Sequence, residues 1–200
     1  TELGELIAYI EKNEWTAEDE KAYLINVYNL LVINKIIQHY PISSPMEVDG
    51  FFDKKDITIN NEKTSLNILE NELLRPKYQD ARLHFVLVCG AIGCPPLVNF
   101  AYQPASLEDQ LEKQTKSAIN DPTFIHQKEN TIQLSEIFNW YQSDFGGNIK
   151  ETIAFINRYR QDSLDPNQKT VFYPYDWTLN SSQTDTDNTL TNTNSTIDLQ

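Results

Sequence analysis

RLHFVLVCG, residues 82–90, carries no charge after Arg82 and is rich in β-branched and aromatic side chains. A short apolar run of this kind is what a strand covered on both faces requires, so it predicts one buried central strand. Along such a strand His84, Val86 and Val88 would face one side, and Phe85, Leu87 and Cys89 the other. The run continues into AIGCPPL, residues 91–97, so that one of the three histidines and both cysteines fall between positions 84 and 94.

Upstream, TAEDEKAYLINVYNLLVINKIIQHYP, residues 16–41, follows a short amphipathic opening. It starts with the capping-box pair Thr16 and Asp19 and stops at Pro41, which predicts the longest helix of the chain. Residues 22–33 are apolar on every side except at Asn26 and Asn29, so the helix should run through the core. DITINNEKTSL, residues 56–66, reads as two short strands around an Asn-Glu turn. A helix over LNILENELLR, capped by Ser65 and ended by Pro76, comes next.

Downstream, Ser106 and Asp109 form a second capping box ahead of LEDQLEKQTKSAIN, a helix closed by Asp121-Pro122. TFIHQKENTIQLS predicts a hairpin turning at 128–130, and SEIFNWYQSDFGG a helix ending at its two glycines. Asn148 with Glu151 starts one more helix, running to about Gln161. VFYPYDW, residues 171–177, is interrupted by Pro174 and suits an edge strand or an extended cover. From Thr178 to Gln200, 19 of 23 residues are Thr, Asn, Ser, Asp or Gln. That composition cannot offset the entropy of ordering, so residues 178–200 are expected to be a disordered polar tail behind one globular domain over 1–177. Helices and hairpins mix without a regular strand–helix–strand alternation, which favours an α+β fold.

With 16 Lys+Arg against 29 Asp+Glu the net charge is −13. A chain so acidic repels phosphate backbones and offers no basic stripe for nucleic acid. Its longest apolar candidate, AYLINVYNLLVI, is 12 residues long, too short for a membrane span, so the protein is expected to be soluble. The chain begins at Thr1 with no charged-then-apolar leader. Its compartment stays open, cytoplasmic or exported after removal of a leader.

Read in order, KAYLINVYNLLVI, HYPI, LNILENELLRP, ARLHFVLVCGAIGCPPLVNFAY, LEDQL, LSEIFNWYQSDFG and YPYDWTLN resemble the domain-of-unknown-function family 547, found in bacterial proteins and at the C-terminus of plant proteins. The resemblance spans roughly residues 20–180. It implies a single compact domain and a shared site around the His-to-Cys segment, with no established activity to carry over. Where that family usually has Glu-His in the ILENELLR helix, this chain has Glu70-Asn71.

Within the cysteine segment, Cys89 sits in the apolar run and reads as a small buried hydrophobe. Cys94 follows a glycine-bearing reversal and precedes Pro95, a residue favoured at the first position of a helix. As an N-cap its thiol would meet unpaired N–H groups and the positive helix end, which lower its pKa. Cys94 is therefore the candidate nucleophile. His84 is the candidate base, although an extended strand from His84 to Cys89 covers roughly 16 Å at about 3.3 Å per residue, so the loop would have to fold back. His39 at the end of the long helix competes for the role, and His126 lies in a polar hairpin. Glu70 is the candidate for orienting the imidazole, or is simply a solvated charge. A metal site is not supported, because the two cysteines form a single loose pair. A local Cys89–Cys94 disulfide is sterically possible.

Asn26 and Asn29 must find partners if buried; they either clamp a neighbouring loop or line a pocket and donate to a substrate. Tyr175, Asp176 and Trp177 form an aromatic surface around an acid, either a cover for the core or the wall of a cleft. The reading that joins these features is a thiol-dependent hydrolase or acyl-transfer enzyme. Its rival is a noncatalytic module whose groove, walled by Tyr173, Tyr175 and Trp177, holds a peptide or sugar. No cofactor is implied, and the expected partner is a small molecule or a peptide.

Overall fold

The apolar stretch ahead of Pro41 forms helix α1, Glu20–His39, in a computed structural model that describes residue 5 and residues 19–59, 62–122, 124–128 and 130–181. Ala22, Leu24, Ile25, Val27, Tyr28, Leu31 and Val32 are all buried, so α1 runs through a core as its composition requires. Tyr40 turns extended ahead of Pro41 and ends it. Thr16, the expected capping residue, lies outside the described residues.

β1, Ile57–Ile59, and β2, Glu62–Thr64, pair antiparallel with Ile57 opposite Thr64. The Ser65 hydroxyl accepts the Ile68 N–H at 3.2 Å and starts α2. This helix has three parts: an α-helical Leu66–Ile68, a π-helical Leu69–Leu74 and an α-helical Arg75–Tyr78. In the widened middle part the Arg75 N–H reaches back five residues to the Glu70 carbonyl. Pro76 does not end the helix as expected. It sits in the first turn of the last part, where a missing N–H is tolerated, and Gln79 in the left-handed region closes α2.

The expected central strand over RLHFVLVCG does not form. Ala81–Phe85 is a 3-10 helix, capped by the Asp80 carboxyl accepting the Arg82 N–H at 3.0 Å, and Val86–Cys89 continues without a strand neighbour among the described residues. The segment is buried as its composition demands. Its backbone groups are satisfied in another way: Asn29 of α1 donates to the Val86 carbonyl at 2.8 Å and accepts the Val88 N–H at 2.9 Å. One amide side chain thus replaces the ladder partner that a buried extended backbone would otherwise need.

Helix α3, Leu107–Asn120, follows a 3-10 turn at Pro104–Ser106; the Ser106 side chain makes no capping hydrogen bond, contrary to the capping box read from the sequence. β3, Ile125–Lys128, and β4, Thr131–Ser135, form the expected hairpin, and β4 pairs in parallel with β5, Lys169–Tyr173. The order β3-β4-β5 leaves β5 at an edge, as Pro174 suggests. Only Ile137–Trp140 of the segment before the paired glycines is helical (α4). α5, Ile149–Asn157, is capped by Asn148, whose side chain accepts the Glu151 N–H at 3.1 Å; it ends earlier than expected. The α+β class stands, with five helices and two small sheets among the described residues.

Two apolar clusters result, one around α1, α2 and the β1–β2 hairpin, the other around the three-stranded sheet, α4 and α5. The 81–88 segment feeds both: Leu83, Val86, Leu87 and Val88 belong to the first, Ala81 and Phe85 to the second. Residues 178–181, expected to open the disordered tail, are instead held. Leu179 is buried, its N–H donates to the Ser43 carbonyl at 2.7 Å, and the Asn180 N–H donates to the Gly90 carbonyl at 2.8 Å. Residues 182–200 lie outside the described residues.

Candidate functional site

The loop from Val88 to Cys94 is shaped by two glycines. Gly90 has φ +78, and a Cβ there would come within 2.4 Å of Ile36. At Gly93 a Cβ would press on the Asp176 backbone and the Tyr175 ring at 3.1 Å, so glycine lets the chain after β5 lie directly against the loop. Ile92 N–H donates to the Thr178 carbonyl and Gly93 N–H to the Asp176 carbonyl, at 2.8 and 2.9 Å. The loop therefore folds back and brings the two cysteines together. The Cys89 N–H donates to Cys94 Sγ at 2.9 Å, and Cys89 Sγ lies 3.1 Å from the Tyr175 hydroxyl. Both thiols are free and half-buried.

The helix start invoked for Cys94 is absent, since no helix begins between residues 94 and 103. Its thiol is pushed up rather than down: its proton is shared toward Cys89, and burial disfavours the anion. Cys89 is shifted the other way, because hydrogen bonds from Cys94, Tyr175 and the Ala91 backbone outweigh its burial. These hydrogen bonds favour an anion at Cys89 over one at Cys94.

Both cysteines line a cavity of about 370 Å³. Tyr28 of α1, Glu70 and Asn71 of the π-helical part of α2, His84, Trp140 and Tyr141 at the end of α4, and Tyr175 and Trp177 beyond β5 supply much of its wall. Glu70 accepts the Tyr28 hydroxyl at 3.1 Å. Burial and the neighbouring Glu70 push the Tyr28 and Tyr141 phenols up, so both stay neutral donors. Tyr175 is likewise raised by burial and by the two thiols.

Glu70, expected to orient the imidazole, does not touch it. His84 Nε2 lies 2.8 Å from Asp144 Oδ2, and the ring stacks on Tyr141 at 4.0 Å. Arg75 grips the same carboxyl through Nε at 2.7 Å and Nη2 at 3.0 Å. Although burial alone would raise it, the hydrogen bonds from His84 and Arg75 hold Asp144 well below the usual carboxylate range. Asn71, the departure from the family's Glu-His pair, accepts from Arg75 and donates to Asn67. Among the described residues no imidazole hydrogen-bonds either thiol. His39 is exposed with Nδ1 against the Lys35 carbonyl at 2.8 Å, and His126 stacks on Tyr173 at 4.9 Å.

Of the other expected site residues, Tyr175 and Trp177 line the cavity. Asp176, between them on an extended backbone, points away; its carboxyl accepts the Thr178 N–H at 2.9 Å. Tyr173 also lies elsewhere, donating to the Phe124 carbonyl. Asn26 and Asn29 are clamps rather than pocket donors. Asn26 bonds both the carbonyl and the N–H of Tyr102 at 2.8 Å, as Asn29 bonds Val86 and Val88, which leaves neither amide facing the cavity. Sequence reasoning missed Tyr28, Trp140, Tyr141 and Asp144. Only Tyr28 carried a signal, a phenol in the apolar middle of a helix expected to be buried, where its hydroxyl needs a partner.

Fold and site together define an α+β domain with a paired-thiol cavity between its helical and sheet-bearing cores. The sequence matches, over residues 12–119, the model of a family described as protein of unknown function, DUF547, and the chain belongs to that family. The match includes Glu70, His84 and both cysteines and ends before Trp140, Tyr141, Asp144, Tyr175 and Trp177. No curated protein and no solved structure matches the chain.

Proposed function

We propose that the cavity is the active site of a thiol-dependent acyl-transfer enzyme or hydrolase, with Cys89 in place of Cys94 as the attacking sulfur. The observation that carries this reading is the contact of two free thiols on the wall of an aromatic cavity, with Cys89 held by both Cys94 and Tyr175. The Cys89 thiolate attacks a carbonyl carbon; the C–S bond forms as the bond to the leaving group breaks, and the leaving group takes a proton from Cys94 or Tyr175. Water then attacks the thioester: its hydroxyl goes to the acyl carbon, its other proton restores Cys94 or Tyr175, and the carboxylic acid leaves with Cys89 as the thiolate again. The sulfur is activated by hydrogen bonds to its anion rather than by an imidazole base.

Alkylation by iodoacetamide across pH, mapped by peptide mass, tests it. Cys89 should label first, with a rate midpoint below the ordinary thiol value of about 8.5, and Tyr175→Phe should move that midpoint up. Labelling of Cys94 ahead of Cys89, or thiols inert in the native protein, would sink the proposal. A noncatalytic reading is favoured by the ring contacts of Trp140, Tyr175 and Trp177, which suit a flat ligand held without chemistry. Inert thiols together with ligand-dependent quenching of tryptophan emission would select it.

A further inference from the structure

Apart from His84, which is bound to Asp144, the described residues of the cavity wall include one ionisable side chain that is neither thiol nor phenol, and it is an acid: Glu70. Its partners are phenols, Tyr28 at 3.1 Å and Tyr141. None of the ion pairs among the described residues involves it. Arg75 is close enough to feel its charge, yet the guanidinium directs its hydrogen bonds to Asp144 and Asn71. Neutral donors stabilise a part-buried carboxyl only partly, and a cation in the cavity would complete it.

The same cavity has an aromatic wall. Trp140 and Trp177 stack at 6.1 Å and 22°, and Tyr175 contacts both, at 5.0 and 4.7 Å. Trp140 remains 47% exposed, so its ring is open to an entering molecule. Ring faces are negative and attract cations while they repel anions. Glu70 acts in the same direction, and the net charge of −13 favours approach of a cation over an anion.

We infer that the substrate carries a cationic nitrogen, an ammonium or guanidinium group, which lies between Glu70 and the wall of Trp140, Tyr175 and Trp177. This rests on the thiol reading above and gives it a substrate class: a carbonyl compound with a basic nitrogen, whose seating places the carbonyl at Cys89. An anionic acyl compound is rejected by the same groups.

Trp140 and Trp177 line the cavity, so their emission reports binding. Benzylammonium, benzyl alcohol and benzoate, alike in shape and different in charge, are titrated against the full chain and against Cys89→Ser. Benzylammonium should bind about tenfold more tightly than benzyl alcohol, as a cation–π contact plus a charge-assisted hydrogen bond implies, with benzoate the weakest. Glu70→Gln, nearly the same in size, should bring benzylammonium to the level of the alcohol. Trp177→Leu, which keeps the carboxyl, should weaken it as well. Equal affinity for the amine and the alcohol, an advantage that survives Glu70→Gln, or no binding of any of the three overturns the inference. A reactive Cys89 without charge preference removes this inference alone, whereas charge preference with inert thiols removes the acyl-transfer chemistry and leaves the cation pocket.

Discussion

Asn29 shows how one residue can replace an element. Its amide serves the Val86 carbonyl and the Val88 N–H at once, in a buried setting where neither has water. Truncation would leave both backbone groups without a partner, so Asn29→Ala should destabilise the protein by about 2–4 kcal/mol in urea unfolding, more than Asn26→Ala, whose side chain is only half-buried. A cost no larger than that of an exposed asparagine would show that the 86–88 backbone finds other partners. The thiols carry the opposite lesson. Pro95 after Cys94 suggests a helix cap, but Pro95 starts no helix here, and the hydrogen bonds that favour an anion converge on Cys89. Neighbours in space, not the neighbour in sequence, make Cys89 the more acidic of the two thiols.

At the scale of elements, the π-helical part of α2 positions the site. Widening the helix over Leu69–Leu74 turns Glu70 and Asn71 into the cavity and aims Arg75 at Asp144, in the turn that follows α4. Asp144 is thereby the tie between α2 and the sheet-side core, since it holds both Arg75 and His84. Asp144→Asn should cost about 1–3 kcal/mol, less than a fully buried pair would, because Arg75 and Asp144 both keep some solvent. A thermal unfolding midpoint unchanged from wild type would rule the tie unimportant. None of this was legible in LNILENELLR, which has the ordinary periodicity of an α-helix. A π-helical turn differs by one residue of phase, and only the packing of Leu69 and Leu74 into the core fixes that phase.

Across the whole molecule, the acids that join separate segments set its response to pH. Asp80 binds Lys21 of α1 at 2.7 Å and Arg82 of the 3-10 segment, which in turn reaches Glu108 of α3. Burial would raise its pKa, but the hydrogen bonds from Arg82 and Lys21 bring it to about 2; Asp144 is depressed for the same kind of reason. Both folded values lie below the unfolded one, so their contribution is complete above about pH 4 and is lost as the pH falls through the folded values. At about 0.15 M salt, where repulsion among surplus carboxyls is screened beyond roughly 8 Å, the urea midpoint should hold from neutrality to about pH 5 and decline below about pH 4. Asp80→Asn combined with Asp144→Asn should flatten that decline, and a decline of unchanged slope would show that other acids cause it. By itself the sequence determined the α+β class, the long core helix, the hairpins, the caps at Ser65 and Asn148, the edge strand before Pro174 and the family, because these follow from periodicity, local capping and composition. Tertiary structure alone decided that RLHFVLVCG is a buried 3-10 segment and loop and not a strand, that Asp144 and not Glu70 holds His84, and that the hydrogen bonds favouring a thiolate meet at Cys89 rather than Cys94. Burial makes a segment apolar whatever its backbone does, and a hydrogen bond between residues 60 or 86 positions apart leaves no mark on the spacing of either.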